Sequence, residues 1–188
     1  MVEAHDFPIG ELLPLSAYAD RGLRPFHVAP KARATLRPHQ VFFLPVPPRD
    51  LASDSSFLNY RRIEFALDAR RPKSYPSRRS AWFAFPCRAC AEWFHGTCRG
   101  GNGRIGVLVA RGDTPTIVLD LVWRNIAANL RDENWRRVDL ADHLKDPGYR
   151  PQSYEEALDR VVNAYWSGTL TRDPRPEMLV GGPASIQF

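Results

Sequence analysis

The chain has 188 residues, 44% of them hydrophobic and 25% charged, the proportions of a soluble globular protein with one sizeable core and too short for two comfortable domains. Its formal net charge is +5, and of 26 basic residues only Lys31, Lys73 and Lys145 are lysine, so arginine, the bidentate partner of phosphate and carboxylate, dominates. No apolar run approaches the roughly 20 residues that span a bilayer, and acids interrupt an N-terminus that lacks a basic lead-in, so neither membrane nor export is expected and the location read is cytoplasmic.

Residues 1–22 read as a leader with at most one short helix, and 23–188 as the domain proper. "LRPFHVAP" (23–30) and "QVFFLPV" (40–46) are strand candidates closed by proline. A helix is expected within 51–70, with Phe57, Leu58, Phe65 and Ala66 as its apolar residues. "PKSYPSRR" (72–79) is a loop by its prolines and serines, and "SAWFAF" (80–85) a buried strand. "RIGVLVARGDTPTIVLD" (104–120) gives two strands around a Gly-Asp-Thr-Pro turn. "SYEEALDRVVNAYWSG" (153–168) is the clearest helix. Ser153 and Glu156 form a capping box, Tyr154, Ala157, Leu158, Val161 and Tyr165 line one face, and Gly168 suits the stop. A last strand is expected in "PEMLVGGPASIQF" (176–188), starting at Glu177. Strands and helices do not alternate strictly, which favours an α+β fold.

"PCRACAEWFHGTC" (86–98) holds all three cysteines. As metal ligands the set would be Cys87, Cys90, His95 and Cys98, but zinc knuckles usually draw their second ligand pair from a separate turn. "RACAEWFH" has no Gly, Pro, Asn or Asp to turn the chain. Read as a helix, it aligns Cys87, Cys90, Ala91 and Phe94 on one apolar stripe and turns Arg88 and Glu92 outward. Free cysteine is a small hydrophobe that suits such a stripe, so the helix is preferred and no metal is assigned.

A strand "SAWFAF" running into this helix, with Trp82 and Trp93 eleven positions apart, resembles the ADP-ribosyltransferase superfamily in its poly(ADP-ribose) polymerase and diphtheria-toxin branch. "FHVA" resembles the family's first-strand histidine motif and "EMLV" its late-strand glutamate motif. The chain is also similar to a group of uncharacterised bacterial proteins assigned there, through Pro76-Ser77-Arg78, Phe83-Ala84-Phe85, Tyr165-Trp166, Gly168 and Glu177. The resemblance implies a single-domain split antiparallel β-sheet with flanking helices, and NAD as co-substrate. It implies that Trp82 and Trp93 sandwich the nicotinamide, that His27 holds ribose hydroxyls, and that Glu177 is the catalytic carboxylate. Arg78 or Arg79 would take the pyrophosphate, with Tyr75 and Ser77 as further loop contacts. Val28 stands where the family carries glycine, tryptophans replace both tyrosines, and Arg175 replaces the second acid of arginine-modifying members.

Cleaving the nicotinamide–ribose bond builds positive charge on the sugar, which a fixed carboxylate stabilises, and a cationic ring stacks well on indole. The function expected is therefore mono-ADP-ribosyl transfer by a toxin- or effector-type enzyme to a nucleic acid or protein, with a restraining partner left open. The alternatives are an NAD glycohydrolase and a non-enzymatic zinc or nucleic-acid-binding module. Residues 121–150 are read as a target-recognition segment or a plain surface segment, the former preferred.

Overall fold

The computed structural model describes residues 7–29, 55–99, 103–130 and 135–188, without the side chains of 55–60 and 98–99. The expected strand at 40–46 lies outside them. The fold is α+β, with two antiparallel sheets and six helices among the described residues. The four-stranded sheet has β1 (Leu12–Pro14), β5 (Pro115–Asp120), β6 (Pro176–Val180) and β3 (Trp82–Ala84) in that order. The three-stranded sheet has β2 (Phe26–Ala29), β4 (Arg104–Ala110) and β7 (Ala184–Gln187).

Residues 12–20, within the expected leader, join the fold: β1 pairs with β5 through Leu12–Ile117, Tyr18 of α1 (Leu15–Asp20) is fully buried, and its hydroxyl donates to the Glu11 carbonyl at 2.8 Å. One expectation is corrected by this topology. The segment 176–188 is two strands, not one, separated by Gly181 and by Gly182 at φ +82°, and the two belong to different sheets. The turn at 111–114 likewise carries the chain from β4 in one sheet to β5 in the other, rather than closing a hairpin.

Strand periodicity separates the two faces of the four-stranded sheet. Ile117, Leu119 and Leu179 face a core built with α2 (Ser55–Ala69), α4 (Leu121–Asn129) and α6 (Tyr154–Trp166). Val118, Met178, Val180 and Ala84 face the opposite way, onto Phe7, Tyr18 and Leu108. Both faces are thus covered, and β6 is buried along its whole length.

The helices follow local rules. The Ser153 hydroxyl accepts the Glu156 N–H at 3.1 Å, while the Glu156 carboxylate reaches back to the Gln152 N–H at 2.8 Å. Gly168 ends α6 at φ +72°, where a Cβ would meet the Gly10 Cα at 2.6 Å. Among the described side chains of α2, Ile63, Glu64 and Leu67 are buried and Ala66 packs against the core, whereas the expected core residue Phe65 is 39% exposed; Phe57 and Leu58 lie outside the described side chains. The segment 121–129 is α4, which buries Trp123 completely and donates its indole N–H to the Thr169 carbonyl at 2.6 Å. It contributes to the core. A short 3-10 turn (Trp135–Arg137) and α5 (Leu140–Leu144) follow in the second half of that segment.

Candidate functional site

The two sheets join at β3. Its ladder with β6 runs from Trp82–Val180 to Ala84–Met178. At Phe85 the chain leaves β6 and pairs with Phe26 of β2 through reciprocal backbone hydrogen bonds of 2.8 Å. Glu177 is the β6 residue just beyond this fork, and its ladder partner is Leu119 of β5.

Glu177 shares the face of Leu179, toward the helices, where it meets a buried ionic cluster. Arg78 donates from Nη1 to Glu177 Oε1 at 2.6 Å and from Nε and Nη2 to the Glu64 carboxylate at 2.6 and 3.2 Å. The Tyr165 hydroxyl accepts from Arg78 and donates to Glu177 Oε1 at 2.7 Å. Arg124 adds a bond from Nε to Glu64 Oε1 at 3.0 Å. Glu64, Arg78 and Glu177 are each at most 2% exposed. Two carboxylates face two guanidiniums, so the cluster is neutral, the condition under which buried charge is tolerable.

Each member is held by its neighbours. Burial pushes the Glu64 carboxyl upward, but Arg78 and then Arg124 outweigh it and hold it below the ordinary carboxylate value. Burial works against the Arg78 charge, and Glu177 and Glu64 more than offset it, so the guanidinium stays protonated. Burial keeps the Tyr165 phenol neutral, which suits its role as donor to Glu177. The Arg78 guanidinium also stacks over Phe83 at 4.4 Å.

The resemblance-derived site is only partly assembled. His27 and Trp82 come together, their rings edge to face at 5.9 Å, with His27 Nδ1 against the Phe83 carbonyl at 2.6 Å. This contact spans the join between the sheets. Trp82 and Glu177, however, lie on opposite faces, because residues directly opposed on a ladder share a face and Trp82 opposes Val180. The expected convergence of His27, both indoles and Glu177 on one open cleft is therefore absent. Trp93 stands on α3 (Arg88–Arg99) with the Arg175 guanidinium over its ring at 4.8 Å, so one stacking face is already taken.

The loop residues are occupied in the same way. Arg78 is no free pyrophosphate ligand but the centre of the buried cluster. Ser77 donates to Asp68 at 2.7 Å and accepts from the Arg79 N–H at 3.2 Å, and so shapes the loop itself. Tyr75 donates to the Gly10 carbonyl at 3.2 Å and packs on Trp166. Arg79 is exposed, over the Phe65 ring at 4.6 Å.

The cysteine helix is continuous. Ala91 is fully buried, Cys87, Cys90 and Phe94 pack beside it, and the exposed Arg88 and Glu92 pair at 2.9 Å. Among the described residues no group of three or more His, Cys, Asp or Glu side chains is placed to hold a metal ion.

A second feature is a surface groove of about 380 Å³ whose lining includes Trp135, Arg136, Arg137, Tyr149 and Arg150. The Arg136 guanidinium lies over the Trp135 ring at 5.0 Å. Asp139 is the one acid among the described lining residues and caps α5 by accepting the Asp142 N–H at 3.1 Å.

No family model matches the chain, and no curated protein matches it. Glu64 and Arg124 were missed by sequence reasoning. The available signal was Glu64 itself, a carboxylate beside Ile63 and Leu67 on the buried stripe, which demands a buried cation; which arginine answers it is a tertiary matter.

Proposed function

We propose that the chain is an NAD-dependent enzyme of the ADP-ribosyltransferase type, with the dinucleotide taken at the join between the sheets. The observation that carries this reading is the His27–Trp82 pair beside the fork at which Glu177 stands. Trp82 supplies a ring for the cationic nicotinamide, and His27 a hydrogen bond for the ribose. Glu177 lies on the other face and is held by Arg78, so in this reading it supplies negative charge to the developing oxocarbenium only when Arg78 releases it at the fork. The arginine-lined groove suits an anionic acceptor, and single-stranded nucleic acid fits its mixture of guanidiniums and aromatic rings.

The burial of Glu177 favours a second reading, in which the same face binds NAD without cleaving it. Thermal stabilisation by millimolar NAD and release of nicotinamide distinguish the two. The transferase reading expects both in the wild type, loss of stabilisation in Trp82→Ala, and loss of release alone in Glu177→Gln. Stabilisation without release, with or without added acceptor, supports the binding module. No stabilisation at all overturns both.

A further inference from the structure

We propose that Cys87 and Cys90 are a redox-active dithiol, a modification site that closes to a disulfide by exchange with a low-molecular-weight disulfide such as oxidised glutathione. This inference is independent of NAD chemistry. It rests on the geometry at the start of α3.

Cys87 directly precedes the first helical residue, Arg88, and occupies the cap position. Its carbonyl accepts the Ala91 N–H at 3.2 Å, and its sulfur accepts the Cys90 N–H, also at 3.2 Å. The thiol thus stands where a cap side chain normally serves the unsatisfied N–H groups of a first turn. The same turn carries Cys90 round so that the two sulfurs lie 2.7 Å apart, against roughly 2.05 Å for the covalent bond. Closure therefore brings together two sulfurs that are already neighbours. Both residues are partly exposed, so a small disulfide has access. Cys98 is eight residues further along the same helix, a rise of about 12 Å, well beyond the roughly 7 Å between Cα atoms that a disulfide bridges.

The two sulfurs are not equivalent. The Cys87 sulfur accepts the Cys90 N–H in the first turn, whereas burial, the hydrogen bond to Cys87 and its nearby charge push the Cys90 thiol up to about 12. That assigns the order of events. Cys87 loses its proton to solvent and attacks one sulfur of the glutathione disulfide, whose S–S bond breaks and releases one glutathione as a thiolate, which takes up a proton. Cys90 then loses its proton and attacks the Cys87 sulfur, expelling the second glutathione in the same way. Two protein thiols are oxidised and one external disulfide is reduced to two thiols. The closed bond fixes the first turn of the helix that carries Trp93.

The test uses the full chain in glutathione redox buffers, acid-quenched, alkylated and digested with trypsin. Cleavage after Arg79, Arg88 and Arg99 places the two sulfurs on separate peptides, so the bond reports as a cross-linked pair. The expected result is a Cys87–Cys90 cross-link in the wild type and in Cys98→Ser, a glutathione adduct on Cys87 that persists in Cys90→Ser, and at least tenfold less adduct on Cys90 in Cys87→Ser. The proposal is overturned if Cys87 and Cys90 are both alkylated after oxidation, if the bond forms through Cys98, or if the adduct in Cys90→Ser is absent from Cys87.

Discussion

Replacing Arg78 with methionine tests the buried cluster, because it removes the one group that touches both carboxylates. The substitution preserves much of the volume beside Phe83 and Tyr165 while deleting three charge-assisted hydrogen bonds to Glu64 and Glu177. Glu64 retains Arg124, but Glu177 is left with only the Tyr165 hydroxyl. Two negative charges then face one positive charge, and losing one partner of a buried pair costs about 3–5 kcal/mol. For a chain of this length that lowers Tm by about 6–20 °C. The sign with pH is also fixed. In the wild type the Glu64 carboxyl lies below its ordinary value, so its contribution is present above the unfolded carboxylate pKa, near 4.3, and is lost as pH falls through the lower folded value. In the variant one carboxyl lies above its ordinary value, so the variant's stability is lost as pH rises through that higher value. Urea unfolding at about pH 5 and about pH 8 should therefore give a larger deficit at the higher pH. Arg78→Met combined with Glu177→Gln should recover part of it. A deficit below about 1 kcal/mol, or one equal at both pH values, would refute the reasoning.

Gly168→Ala should destabilise by at least about 1 kcal/mol more than Gly22→Ala. Both sites have φ above +70°, but only at Gly168 does the new Cβ meet backbone, at Gly10, as urea midpoints should report. Asp120→Ala removes the cap of α4 and leaves the Thr171 and Arg175 N–H groups unpartnered. A loss of about 3 kcal/mol or more is expected in denaturant unfolding, with Asp120→Asn milder. If the groove tracks single-stranded nucleic acid, Arg137→Ala and Arg150→Ala should each reduce the slope of log affinity against log salt by about 0.7, read by fluorescence anisotropy. An unchanged slope would place the nucleic acid elsewhere.

Local chemistry made several elements legible. The Ser153 cap and the apolar face of α6 lie on a single stretch of chain, and so does the thiol stripe of α3. What escaped depended on partners distant in sequence. Residues 12–14 have no strand signature of their own; they are a strand because β5 offers an open edge. Phe65 looked like a core residue of α2, yet its neighbour Glu64 turns inward because Arg78 and Arg124 wait there. The four residues 104–120 places between its strands look like a hairpin loop, although the strands serve different sheets.

The placement of Glu177 shows the same limit most sharply. A strand start after Pro176 was readable, but a strand has two faces, and a shift of one residue in register exchanges them. The Ala84–Met178 pairing decides the matter, and nothing in either motif alone encodes it. Order along the chain can thus match a catalytic pattern while the carboxylate is committed to an arginine. The electrostatics then constrain how the site works. Because the cluster is neutral, a cationic nicotinamide or oxocarbenium can take Glu177 from Arg78 only as an exchange of one cation for another, with Arg124 still serving Glu64. If the chain cleaves NAD as proposed, Arg78 must therefore yield Glu177 as positive charge arrives at the fork.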